Sequence, residues 1–169
     1  TDDYGDYTAE IVDGGYQLSQ EATKGVFSWE LPEDADFSNF IMSVDATPLD
    51  FSDAFAFGLI FRVENNKEFY AFEVDSDGYF FINLYQNGDW QTLVDFTEMD
   101  AIDGEGTNHL MVKAVGSTLS FFINDEEAIT IEDDTLNSGS IGVAFELYDE
   151  GNSATVEFDN LRVQALDAE

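Results

Sequence analysis

From Tyr16 to Val163 the chain runs in short stretches where apolar and polar residues alternate, each closed by Gly, Asn or Asp. Period two marks half-buried β-strands, and no stretch carries the spacing of an amphipathic helix. The phase is plainest from Phe55: Phe55, Phe57, Leu59, Phe61 and Val63 share one side, while Ala56, Gly58 and Arg62 take the other. Leu110, Val112 and Ala114 alternate in the same way against His109, Met111 and Lys113.

Strands are expected over Gly15–Gln20, Lys24–Leu31, Asn39–Ala46, Phe55–Val63, Glu68–Val74, Tyr79–Gln86, Trp90–Phe96, His109–Val115, Thr118–Ile123, Ala128–Glu132, Ser140–Leu147 and Ala154–Val163. Turn chemistry joins neighbours as antiparallel hairpins, with SDG at Ser76–Gly78, NGD at Asn87–Asp89, VGS at Val115–Ser117 and the pair Asn124–Asp125. About a dozen strands exceed a small barrel and fit an all-β, two-sheet antiparallel sandwich. Asp95–Gly106 lacks the alternation and reads as a loop or a short helical turn crossing between sheets. With no linker, repeat or low-complexity tract, residues 1–169 read as a single domain.

Charge changes the picture of the surface. Five Lys and Arg stand against 37 Asp and Glu, a formal net charge of -32, while 16 Phe and 7 Tyr argue against a disordered acidic chain. Such a surface cannot neutralise phosphates, which excludes nucleic acid and anionic membranes as natural partners. Cations are the expected partners, and dense carboxylates suit calcium, although salt adaptation alone accounts for the same acidity. No Cys is present, so disulfides, thiolate metal sites and cysteine nucleophiles are ruled out. No apolar run approaches the length of a membrane helix. A chain starting at Thr1 without Met reads as a processed mature protein or an excised module.

Three places could carry chemistry. In FEVDSDG, Glu73, Asp75 and Asp77 sit at alternate positions, the spacing on which a strand presents paired carboxylates to a sugar bond. The third residue is Asp rather than Glu and falls in the SDG turn, so a solvent face plus a turn is the expectation. In ATVEFDNLRV, Val156 and Phe158 keep one phase and Leu161 and Val163 the other, which predicts a β-bulge at Asp159–Asn160 where Asp159 could meet a cation beside backbone oxygens. Tyr79, Tyr85 and Trp90, near Asn83, Gln86, Asn87 and Asp89, supply the flat rings and polar groups of a sugar-binding surface. The single histidine, His109, reads as an ordinary strand residue, since no nucleophile motif accompanies it.

The order of strings DDYGD, FSNFIMSVDAT, FGLIFRVENNKEFYAFEVDSDGYF, NGDWQTLVDFT, EGTNHLMVKAVGSTLSFFINDEE and SGSIGVAFELYDEGNSATVEFDNLRV spans nearly the whole chain. It resembles the concanavalin A-like lectin/glucanase superfamily, in particular LamG-like secreted domains related to the 3-keto-disaccharide hydrolase domain. The resemblance implies a two-sheet jelly roll used as an extracellular or cell-surface module, commonly without catalysis. It also implies a structural calcium joining the first and last strands, with Asp2, Asp6 and Asp159 as its carboxylates.

The expected function is therefore a non-catalytic, calcium-stiffened lectin-like module that binds carbohydrate or another cell-surface ligand through Tyr79, Tyr85, Asn87 and Trp90. Two alternatives come from other classes. One is a structural subunit of a self-assembling extracellular filament or surface layer, in which open sheet edges pair between copies. The other is a glycoside hydrolase.

Overall fold

A computed structural model describes residues 7–12, 14–21, 26–30, 36–65 and 67–167 of the chain. Among them run thirteen strands: β1 (Tyr7–Val12), β2 (Gly15–Glu21), β3 (Val26–Glu30), β4 (Phe40–Phe51), β5 (Phe55–Glu64), β6 (Glu68–Asp75), β7 (Tyr79–Gln86), β8 (Asp89–Glu98), β9 (Asn108–Val115), β10 (Thr118–Ile123), β11 (Glu126–Glu132), β12 (Ser140–Leu147) and β13 (Ser153–Ala165). They form a seven-stranded sheet, ordered β1-β2-β13-β4-β9-β10-β11, and a six-stranded sheet, ordered β3-β12-β5-β6-β7-β8. The described pairings within both sheets are antiparallel. β1 goes beyond the sequence expectation, because its acidic, aromatic segment carries no clean alternation. The crossing expected at Asp95–Gly106 is shorter than that span: Asp95–Glu98 continue β8, and the chain passes from the six-stranded sheet to the seven-stranded one between Glu98 and Asn108.

Alternation builds the core between the sheets. Phe40, Met42, Val44 and Ala46 of β4, with Leu110, Val112 and Ala114 of β9, oppose Phe55, Phe57, Leu59 and Phe61 of β5 and Tyr70, Phe72 and Val74 of β6, all buried. Phe121 of β10 bridges the layers, its ring centroid 4.9 Å from Phe72 and 6.0 Å from Phe61. Two-residue turns hold the hairpins: Asn87 and Gly88 both have positive φ, as do Asn124 and Asp125, the backbone that matches strand twist.

β5 departs from the sequence phase at one point. Arg62 has φ +51°, and the pairing with β6 slips between Phe61 and Glu64. This bulge turns Val63 out of the core to pack with Ile60, Phe69 and Ala71 on the opposite face, correcting the expectation that it continues the Phe55–Phe61 row. Arg62 itself is buried, its guanidinium donating to the carbonyls of Leu136 at 2.9 Å and Ser38 at 2.8 Å. Beside it, the Tyr70 hydroxyl bonds to Asp133 and accepts the Leu136 N–H at 3.2 Å. Burial, then the Asp133 bond, pushes Tyr70 up to about 12.

Candidate functional site

In the middle of the six-stranded sheet, β5 and β6 bury their second face as well as their core face. Ala56, Ile60, Ala71, Glu73 and Ala144 on that outer side have no exposed surface. The residue types explain how the strands lie there: the second phase of β5 and β12 offers Ala56, Gly58, Gly142 and Ala144, a floor without bulk. At Gly58 the backbones are so close that a Cβ would stand 2.0 Å from the Phe72 carbonyl oxygen, so only glycine fits.

One end of this outer face is aromatic. Registry places Phe69, Tyr85 and Trp90 side by side across β6, β7 and β8. Tyr85 stacks on Phe69 at 5.3 Å and lies 4.9 Å from Trp90, which meets Phe69 edge-on at 5.7 Å. Trp90 is 47% exposed and Tyr85 half-buried. The next row holds Ala71, Asn83 and Thr92, with Asn83 half-buried and Thr92 exposed. Asn87 is exposed at the tip of the β7–β8 turn. Tyr79 is not brought to this group: six residues from Tyr85 along β7, roughly 20 Å at ~3.3 Å per residue, it pairs with Glu98 at the other end.

That other end is acidic. Glu73 lies beside Gly58 and Phe81, and one row on, Asp75 and Glu146 flank Ala56. Neither carboxyl oxygen of the fully buried Glu73 has a hydrogen-bond partner. Burial, reinforced by the charge of Glu146, holds Glu73 well above the usual carboxylate range. Burial likewise pushes Glu146 up to about 7. Asp75 is raised by burial against the pull of its own hydrogen bonds, Oδ1 accepting the N–H groups of Asp77 at 3.0 Å and Tyr79 at 2.9 Å.

Glu73 and Asp75 thus share a face as their spacing predicts, but a buried one, which corrects the expectation of a solvent face. Asp77 is exposed in the turn. Rings close over this end. Phe96 of β8 packs on Phe81 at 4.6 Å and meets Tyr148, one residue past β12, at 6.4 Å. β8 and β12 stand four places apart in the sheet, roughly 19 Å at ~4.8 Å per strand, so the two side chains reach toward each other over it. The Tyr148 hydroxyl lies 3.5 Å from Asp75 Oδ2. Sequence reasoning misses Glu146, Phe96 and Tyr148; the available signal is a Glu in SIGVAFEL on a face otherwise made of Gly and Ala.

The outer face of the seven-stranded sheet is of another kind. The predicted bulge is there: Asn160 has φ +54°, and β13 carries one extra residue against β4 between Asp159 and Arg162. Its polar side chains satisfy one another. Asn160 Nδ2 donates to Asp45 Oδ2 at 2.8 Å, and His109 Nδ1 lies 2.7 Å from Asp45 Oδ1. Partial burial opposes ionisation of Asp45, but the bonds from His109 and Asn160 outweigh it and lower its carboxyl. Asp159 is exposed, with Oδ1 accepting the Asn160 N–H at 2.7 Å. Asp2 and Asp6 lie outside the described residues, so Asp159 alone of the implied calcium set has a described place. Among the described residues no three His, Asp or Glu side chains form a metal-binding group.

The fold is a two-sheet antiparallel jelly roll. Among solved structures the chain is similar to the carbohydrate binding module CBM66 from Bacillus subtilis, with 22% identity, TM-score 0.77, and coverage of 95% of this chain and 92% of that one. It is also similar to the GH43 BlXynB protein from Bacillus licheniformis, with 14% identity, TM-score 0.66, and coverage of 94% and 35%. A prokaryotic β-1,3-1,4-glucanase (lichenase) from a mouse hindgut metagenome shares the fold at 13% identity, TM-score 0.57, and coverage of 89% and 82%. No protein-family model and no curated protein sequence matches the chain. No helix among the described residues is long and apolar enough to cross a membrane.

Proposed function

We propose that the chain is a non-catalytic, extracellular carbohydrate-binding module that holds a saccharide on the outer face of the six-stranded sheet. The observation that carries this reading is the Tyr85–Trp90 pair, two rings 4.9 Å apart at one end of that face with Trp90 47% exposed. A flat ring at the surface covers the apolar face of a pyranose, and nearby amides and hydroxyls such as Asn83 and Thr92 fix its orientation. Likeness to a carbohydrate binding module over almost all of both chains supports it. Saturable binding on a glycan array is expected, weakened about tenfold, or about 1.4 kcal/mol, by Trp90→Ala. An array on which no glycan binds would overturn the reading.

Calcium belongs to the same proposal, with Asp159 at the bulge and the N-terminal carboxylates Asp2 and Asp6 as its ligands. At fixed ionic strength, calcium is expected to raise the melting temperature over chelator; equal melting curves would remove it.

A specific observation also favours a second reading, glycoside hydrolysis. Glu73 and Glu146 are two carboxyls on one face whose environments differ, and glycosidases divide acid and base roles between two such groups. Sustained failure to release sugar from β-glucans decides against it.

A further inference from the structure

We infer that the acidic end of this outer face is a cation-recognising subsite, and that the saccharide unit seated there carries a free amine. The inference rests on the carbohydrate reading and names the ligand chemistry of that face.

It stands on Glu73. A carboxyl with no exposed surface and no hydrogen-bond partner at either oxygen is costly to bury, and a second carboxyl, Glu146, lies diagonally across a floor of Ala56 and Gly58. A neutral diol could donate to both groups but brings no charge to favour their ionised forms. An ammonium group supplies donors and opposite charge at once. The alternative cation, a divalent metal, wants a convergent set of oxygen ligands, and no three acidic side chains here form one.

Aromatic rings stand at the same end: Phe81 is the cross-strand neighbour of Glu73, Phe96 packs on Phe81, and the Tyr148 hydroxyl lies 3.5 Å from Asp75 Oδ2; ring faces attract organic cations. Glu146 keeps part of its surface at solvent, so it is the carboxyl an arriving amine meets first. A net charge of -32 favours the approach of any basic saccharide.

Among the described residues, the titratable groups on this face around Glu73 are Glu146, Asp75, Tyr148 and, in the outer row, Tyr79 of β7 with its partner Glu98 of β8; β5 presents Ala56 and Gly58, and β7 sets Phe81 directly beside Glu73. Burial raises Glu146 to about 7 and holds Glu73 well above the usual carboxylate range, and an arriving ammonium favours their charged forms, so its binding is expected to release protons.

The test is calorimetric titration at pH 6, in two buffers of different ionisation enthalpy, with chitosan oligosaccharides and their fully N-acetylated counterparts. These share a backbone and differ in charge. The amine-bearing ligand should bind at least tenfold more tightly with net proton release, and Glu73→Gln or Glu146→Gln should remove that preference. Melting curves confirm the fold of each variant. Should the buried Glu73→Gln fail to fold, the partly exposed Glu146→Gln carries the test.

Equal affinity for the two ligands, or a preference untouched by Glu146→Gln, overturns the inference. A Trp90-dependent neutral ligand would then leave the carbohydrate reading standing. Binding of neither ligand, together with a blank glycan array, overturns both.

Discussion

The two sheets turn very different outer faces to their surroundings. On the seven-stranded sheet, β4, β9 and β10 alternate buried with partly exposed residues. Its Asp45–His109 pair is wet and mutually satisfied. On the six-stranded sheet, β5 and β6 are buried almost continuously, and the carboxyl at the centre of the acidic end has no partner. The contrast separates two uses of a carboxylate. Asp45 is lowered by groups that favour its charge, whereas Glu73 and Glu146 are raised by burial that opposes theirs. A structural pair relaxes into the first state; an unsatisfied buried acid is better explained by a ligand that completes it.

The sharpest way to break this contrast is one substitution made on each face. Ala71→Asn puts an amide into the buried outer patch with Ile60, Phe69 and Ala144, and is expected to cost about 3 kcal/mol by overpacking and an unmet polar group. Ser120→Asn, on the outer side of β10, should stay within about 0.5 kcal/mol. Denaturant midpoints check both, and equal costs would mean the faces are alike.

pH sharpens the comparison next. A carboxyl raised in the fold stabilises at low pH and loses that contribution as pH climbs through its folded value. The protein should therefore melt lower as pH rises from about 5 to about 8, a change on the order of 2 kcal/mol for Glu146. Glu146→Gln should flatten the curve, and a profile unchanged by it would contradict the burial argument.

The smallest effect is expected at Asp45, whose lowered carboxyl contributes above its unfolded value and is lost on acidification. Because the pair is part-exposed, Asp45→Asn should cost under about 1 kcal/mol at neutral pH.

How much of this was legible in the sequence follows from how local each feature is. Tyr85 and Trp90 pair because they stand equally far from a two-residue Asn87–Gly88 turn, so their contact is readable from spacing and turn type. The β13 bulge shows as a change of phase between Phe158 and Leu161. Arg62 gives no such sign, since its left-handed backbone is fixed by pairing with β6 and by carbonyls far along the chain. The approach of Glu146 to Glu73 depends on β12 lying beside β5, a sheet order that alternation does not encode. For the same reason the spacing of Glu73 and Asp75 gives their shared face but not its burial.

The most direct test of the central claim is glycan binding by three proteins in parallel: the native chain, Trp90→Ala on the outer face of the six-stranded sheet, and Lys113→Ala on the outer side of β9 in the other sheet. The account predicts binding for the native chain and Lys113→Ala and a loss of about tenfold for Trp90→Ala. Loss with Lys113→Ala and retention with Trp90→Ala would place the ligand on the wrong sheet and contradict it.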